Sequence, residues 1–270
     1  MKHRIYTILL TATCLLTCCD DFLSEVPNRG GNEVLNSGAQ IDALLGNSEY
    51  LKTYTQWGLT SSDDFGFTIT VADAFGYVNN YVMNGLTWDV EGQKLVPYGD
   101  EVWSTEYSKI FLANLIINEI DEVTDITEEQ RTNYLANAHF IRALANWQLV
   151  SLYAQPYDEE TLDTPGLFLK QTTSYEEDMH RATLKDSYAF ILTDLDEAYK
   201  TTYSDIDRRW LVSRPAVEAL RARIYLSMQE YEDAANHAAE ALKSQRAQLV
   251  DYNALGTIER TLTSMSGDII

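Results

Sequence analysis

Apolar residues recur at helical spacing along five stretches of this chain, and that periodicity limits what it can fold into more than any other feature. From Trp103 to Ile120 they fall at Trp103, Tyr107, Ile110, Phe111, Ile117 and Ile120, with Asn114 as the polar exception. Thr127-Glu128-Glu129-Gln130 places an N-cap threonine and a glutamine at the capping-box position. The helix it opens carries Tyr134, Ala138, Phe140, Ile141, Leu144, Trp147, Leu149 and Tyr153, and stops before Pro156. Thr183 starts a third helix through Tyr188, Ile191, Leu192, Leu195 and Ala198. Pro215 sits in the first turn of a fourth, where its missing N–H costs nothing, and Ala219, Ala222, Ile224, Tyr225 and Met228 follow. After a short break near Glu230, a fifth carries Tyr231, Ala234, Ala238, Ala241 and Leu242.

Helices paired through short turns predict an all-α, helical-repeat architecture. The last pair matches a tetratricopeptide unit in register, with Ala222 and Tyr225 at the small and aromatic positions of its first helix. Ala234 and Ala241 occupy the two small positions of the second. Small residues are needed there because the two axes approach closely. Ala136-Asn137-Ala138 and Ala143-Leu144-Ala145 serve the same purpose in the earlier pair. Trp103, Phe140, Trp147 and Tyr225 lie on the repeat faces and are expected in the core, and Arg142, beside that face, in a buried ion pair.

Between Asn28 and Asp100 the period is lost, most clearly over about 55–100. Glycine and asparagine punctuate the stretch, and aromatic residues crowd it: Tyr54, Trp57, Phe65, Phe67, Phe75, Tyr77, Tyr81, Trp88 and Tyr98. Only Gly38 to Tyr54 looks helical here. A long irregular region inside a compact domain is usually functional.

The first residues are a targeting segment. Met1-Lys2-His3-Arg4 is a positive n-region, and the apolar run Ile5 to Leu16 is too short to span a bilayer as a mature helix. All three cysteines, Cys14, Cys18 and Cys19, lie in the first nineteen residues and none follows from Asp20 on, so no disulfide can brace the exported chain. Leu15-Leu16-Thr17-Cys18-Cys19 resembles a bacterial lipobox, giving a signal peptide over 1–18 and a lipid-bearing N-terminus at Cys19. Cys18 is the alternative acceptor, and an ordinary secretory peptide is the blander reading.

The residues from here resemble the SusD/RagB-type lipoproteins. Cys19-Asp20-Asp21-Phe22-Leu23-Ser24-Glu25-Val26-Pro27 is similar to the start of their mature chains, and Ser62-Asp63-Asp64 to an acidic element after the first helix. Trp103, Tyr107, Ile110 and Asn114 match a W-x3-Y-x2-I-x3-N helix, and Ala138-His139-Phe140-Ile141-Arg142-Ala143 an A-x-F-x-R-A helix. Arg181-Ala182-Thr183 with Asp194-Leu195, and Arg214-Pro215-Ala216 to Tyr225-Leu226, follow in order. The resemblance implies a tetratricopeptide-like SusD-like scaffold over 19–270 with an irregular aromatic-rich insertion. It implies an outer-membrane lipoprotein, lipid-anchored and facing the exterior. Such a protein captures oligosaccharides and delivers them to a SusC-like TonB-dependent transporter, without catalysis. Family members are markedly longer and continue past the point where this chain ends at Asp268-Ile269-Ile270. The expectation is an N-terminal portion lacking the larger irregular half.

Sugar binding needs flat aromatic faces against pyranose C–H groups, with carboxylates and amides on the hydroxyls. Asp63, Asp64, Tyr77, Asn80, Tyr81 and Trp88 supply both within the irregular stretch, Asn79 adjoining them. The same aromatics would also serve as plugs packing the insertion onto the helices. With 41 acidic against 20 basic residues and a net charge of −21, the chain repels phosphate backbones, which disfavours nucleic acid. His3, His139, His180 and His237 show no metal-ligand spacing, and no nucleophile elbow or phosphate loop is present. The runs Tyr157-Asp158-Glu159-Glu160 and Glu176-Glu177-Asp178 could attract Ca²⁺ but lack the alternation and glycine turn of a calcium loop, and read as solvated faces. No cofactor is expected. The competing class is a tetratricopeptide-type adaptor lipoprotein that binds proteins rather than sugar.

Overall fold

A computed structural model of the chain describes residues 35–47, 62, 101–174, 176–177, 180–204 and 211–246. Within them the fold is helical. The elements are α1 (Gly38–Leu45), α2 (Glu101–Glu119) running into a 3-10 turn (Ile120–Glu122), α3 (Glu128–Tyr153), α4 (Leu184–Ala198), α5 (Arg214–Ser227) and α6 (Tyr231–Ala241). All of these belong to one compact unit.

α1 begins at Ser37, whose side chain accepts from the Gln40 N–H, and ends at Gly46. It is therefore shorter than the helix expected from Gly38 to Tyr54: the Gly46 N–H already closes the last turn onto the Asp42 carbonyl. Residues 48–54 lie outside the described residues. The Gly38 N–H donates to Asp125 Oδ1 at 2.8 Å, which ties the start of α1 to the α2–α3 turn.

That turn is closed by Arg131, which donates to the Ile120 and Val123 carbonyls at 2.8 and 3.1 Å and so satisfies groups a helix C-terminus leaves open. Thr127 then forms the expected capping box with Gln130. α2 and α3 pack as an antiparallel pair, and Ala136, Ala138, Ala143 and Ala145 are all buried, as close approach requires. α3 ends at Tyr153, two residues ahead of the final residue before Pro156.

On α4, Leu184, Tyr188, Ile191, Leu195 and Ala198 form one buried stripe, opened by the Thr183 N-cap. α5 carries Pro in its first turn and buries Val217, Leu220 and Ile224 against that stripe in a common core. The break before α6 is made by Gln229, at φ 65°, a left-handed conformation that L residues adopt at a cost of about 1 kcal/mol. Ala234 and Ala241, the two small positions of the repeat, are buried where α6 meets α5.

The aromatic residues expected in the core divide. Phe140 and Trp147 pack half-buried against it, and Tyr225 is half-buried between α5 and α6, its ring stacked on His237 at 5.2 Å. Trp103 differs: it is 38% exposed. It occupies the first turn of α2 and packs on Tyr107 and edge-on to Tyr153, which leaves part of the indole in water.

Candidate functional site

The residues assigned to ligand contact, Asp63, Asp64, Tyr77, Asn80, Tyr81 and Trp88, lie outside the described residues, as do the lipid-site candidates Cys19 and Cys18. What the described residues reveal is the polar framework on which the helical half is built.

α2 carries a ladder of donors at Tyr107, Asn114 and Asn118. The Tyr107 hydroxyl donates to the Phe168 carbonyl at 2.9 Å. Asn114 Nδ2 reaches the Lys170 and Thr172 carbonyls at 3.1 and 3.2 Å, and Asn118 Nδ2 the Gln171 carbonyl at 3.2 Å. An irregular segment is thus laid along a helix with its carbonyls bonded by side chains. Leu167 and Phe168 are buried in the process. Burial pushes the Tyr107 phenol up to about 12, so it remains a hydrogen-bond donor at any physiological pH.

Behind the ladder stands Arg142 on α3. It donates from Nη1 to Asn114 Oδ1 at 2.7 Å, and from Nε and Nη2 to the two oxygens of Asp194 on α4 at 2.8 and 2.7 Å. His139 Nδ1 lies 2.7 Å from Asp194 Oδ1, and Phe190 places its ring 5.0 Å from the guanidinium. Side-chain exposures of 7% for Arg142 and 3% for Asp194 make this a desolvated, fork-to-fork pair, the ion pair expected from the sequence. One chain of polar contacts therefore runs from the 170–172 carbonyls through α2 and α3 to α4.

A second framework uses asparagines that sequence reading passed over. Asn133 Oδ1 accepts from the Thr201 hydroxyl and the Thr202 N–H, each at 2.9 Å, while its Nδ2 donates to the Thr202 hydroxyl at 2.8 Å. Asn137 Oδ1 accepts from the Val212 N–H at 2.8 Å. These two residues hold both ends of the α4–α5 connection. The available signal was two asparagines four residues apart beside the alanines Ala136 and Ala138 on one helix.

Arg181 does comparable work, donating to the carbonyls of Gly166, Tyr153 and Pro165. Beside it Pro165 and Thr183 form an isolated antiparallel bridge. A Cβ at Gly166 would come within 2.5 Å of the Thr183 carbonyl oxygen, so only glycine fits this crossing.

One acidic residue departs from expectation, and a second is buried without having been singled out in the sequence. Glu177 was expected on a solvated face; instead it accepts from the Gln171 N–H at 2.8 Å, the Thr172 hydroxyl at 2.9 Å, the Thr172 N–H at 3.2 Å and Lys170 at 3.3 Å. Burial alone would raise its pKa, but these hydrogen bonds outweigh burial and leave it lowered. Glu106 on α2 is 1% exposed and pairs with Lys109 at 2.7 Å, while its second oxygen meets no donor among the described residues. Burial raises its pKa, against the pull of Lys109. Asp158 stays on the surface, where it accepts from the Glu160 N–H within its own turn. Among the described residues no group of three His, Cys, Asp or Glu side chains could hold a metal ion, and no helix is long and apolar enough to cross a membrane.

Clamps of this kind position irregular segments on helices. The class they define is a helical-repeat scaffold. The comparisons with known proteins make that class specific. The family model described as SusD-like, starch-binding associating with outer membrane, matches residues 21–226, and the chain belongs to this family. Two SusD-like proteins of Formosa agariphila are 24% identical over 258 residues and 28% identical over 248. These matches cover 88% and 87% of this chain but 46% and 44% of the relatives, so the chain spans less than half their length. Among solved structures, a SusD superfamily protein of Bacteroides fragilis aligns with a TM-score of 0.64 at 19% identity, over 81% of this chain and 52% of that one. A laminarin-binding SusD-like protein aligns at 0.62 and 19%, over 80% and 47%. These likenesses establish the helical fold.

Proposed function

We propose that this protein is a non-catalytic glycan-capture lipoprotein of the bacterial outer membrane, which gathers oligosaccharides and passes them to a SusC-like TonB-dependent transporter. The observation that carries the reading is membership of a starch-binding, outer-membrane-associated family over residues 21–226. A neighbour with the same fold binds laminarin, which favours a glycan ligand of that general class. In this reading Cys19, or Cys18, carries the lipid. Asp63, Asp64, Tyr77, Asn80, Tyr81 and Trp88 supply stacking faces and hydroxyl partners, with no cofactor and no Ca²⁺ required. Individually weak stacking contacts would raise the local oligosaccharide concentration at the channel mouth by multivalency.

Purification from detergent-solubilised membranes of the native host tests the partner. The proposal predicts a large β-barrel transporter in the eluate, and surface protein accessible to external protease. A soluble protein partner with no transporter would favour the adaptor reading instead, and a protease-protected periplasmic chain would overturn surface capture.

A further inference from the structure

Trp103 is held rigid by folding and is nevertheless left partly in water. It lies in the first turn of α2 and is 38% exposed, whereas the indole nitrogen of Trp147 is buried. Two tyrosines fix its orientation. Tyr107, one turn along α2, packs on it at 4.7 Å between ring centroids, and Tyr153, the last residue of α3, meets it edge-on at 5.1 Å. Tyr107 in turn donates to the Phe168 carbonyl and packs on the buried Phe168 ring at 6.2 Å, so the wall behind the indole is part of the folded framework. A ring ordered this way has little rotamer freedom left to lose when a ligand lands on it.

Arg181 completes the corner. Its Nε and Nη2 are occupied by the carbonyls of Gly166, Tyr153 and Pro165, while its Nη1 meets no acceptor among the described residues and the residue is exposed. The guanidinium thus hangs on the backbone of Tyr153, the residue whose ring touches Trp103. Its charge is also felt at the Tyr107 hydroxyl, where it opposes the rise that burial imposes on that phenol. An exposed aromatic surface beside a fixed N–H donor suits a pyranose: ring C–H groups pack on the indole and a hydroxyl accepts from the guanidinium. A nucleobase could stack as well, but its phosphates are repelled by a chain of net charge −21. We propose that Trp103, with Arg181 beside it, is an auxiliary pyranose-stacking subsite on the helical half, additional to the six residues assigned to the irregular stretch. The proposal rests on the glycan reading above and adds to it a contact for a further sugar unit of the same bound oligosaccharide. One such contact is weak alone, and its effect is to multiply the affinity set elsewhere.

Nuclear Overhauser transfer from sugar to protein tests this on the full chain, protonated only at its tryptophans in a deuterated background. The probes are a panel of neutral oligosaccharides that includes maltohexaose and laminarihexaose, and the Trp103 ring signals are those missing from Trp103→Phe. The expected result is transfer from the C–H protons of a bound oligosaccharide to the Trp103 ring. Trp103→Leu and Arg181→Lys, each with helicity retained, are expected to weaken that binding about three- to tenfold without abolishing it. Should Trp103→Leu lose helicity, the transfer and Arg181→Lys decide. Binding that gives no transfer to Trp103, or that is unchanged in the folded variants, overturns the subsite and leaves the glycan reading standing. Failure of every panel member to bind overturns that reading and the subsite with it.

Discussion

Arg142 is the residue on which most of the helical half depends, because it joins three helices through two partners. Removing its charge leaves Asp194, 3% exposed, as a buried carboxylate without its guanidinium. Breaking a buried pair from one side costs about 3–5 kcal/mol. Arg142→Leu is therefore expected to lower the unfolding free energy by about that amount in urea titrations followed by circular dichroism. A loss below about 1 kcal/mol, typical of exposed ion pairs, would show that the clamp is not holding the helices together. The arginine was legible in the sequence because a charge beside an apolar helical face needs a partner. Its partner was not, since Asp194 lies 52 residues away. Glu106 and Lys109 were illegible for a different reason: at i and i+3 they resemble any exposed helix pair, and only packing makes them buried.

At the scale of elements, periodicity and caps located α2 to α6 because their signals are local. Thr127, Thr183 and Pro215 fix helix starts whatever the tertiary context. Irregular segments carry no such periodic signal, and their geometry comes from side chains reaching across from other elements. The 168–172 segment follows α2 because Tyr107, Asn114 and Asn118 bind its carbonyls, and its turn closes on Glu177. Because the folded-state pKa of Glu177 is lowered, its contribution is present above the ordinary value of 4.5 and is lost as pH falls through the lowered value. The amide resonances of Gln171 and Thr172 should accordingly titrate with a midpoint below 4.5, and Glu177→Gln should remove that titration. A midpoint at or above 4.5 would mean that the turn is not clasped by the carboxylate.

For the whole molecule, the fold and family were legible because motif residues double as framework residues. The tyrosine and asparagine of the α2 motif hold the irregular segment, the arginine of the α3 motif holds that asparagine, and the aspartate of the α4 motif holds the arginine. Residues bound into one network constrain one another in type and spacing, which is why they form a recognisable ordered set. Glycan contacts carry no comparable signal, since a stacking tryptophan and a core tryptophan look alike in sequence. The central claim is therefore tested at the irregular stretch itself. Affinity electrophoresis or calorimetry against a glycan panel, using the chain from Asp20 onward once circular dichroism shows it helical, gives the answer. The account predicts binding of at least one oligosaccharide, abolished by Trp88→Ala or Tyr77→Ala with helicity retained. A well-folded chain that binds no glycan, or one whose binding survives both substitutions, would contradict it.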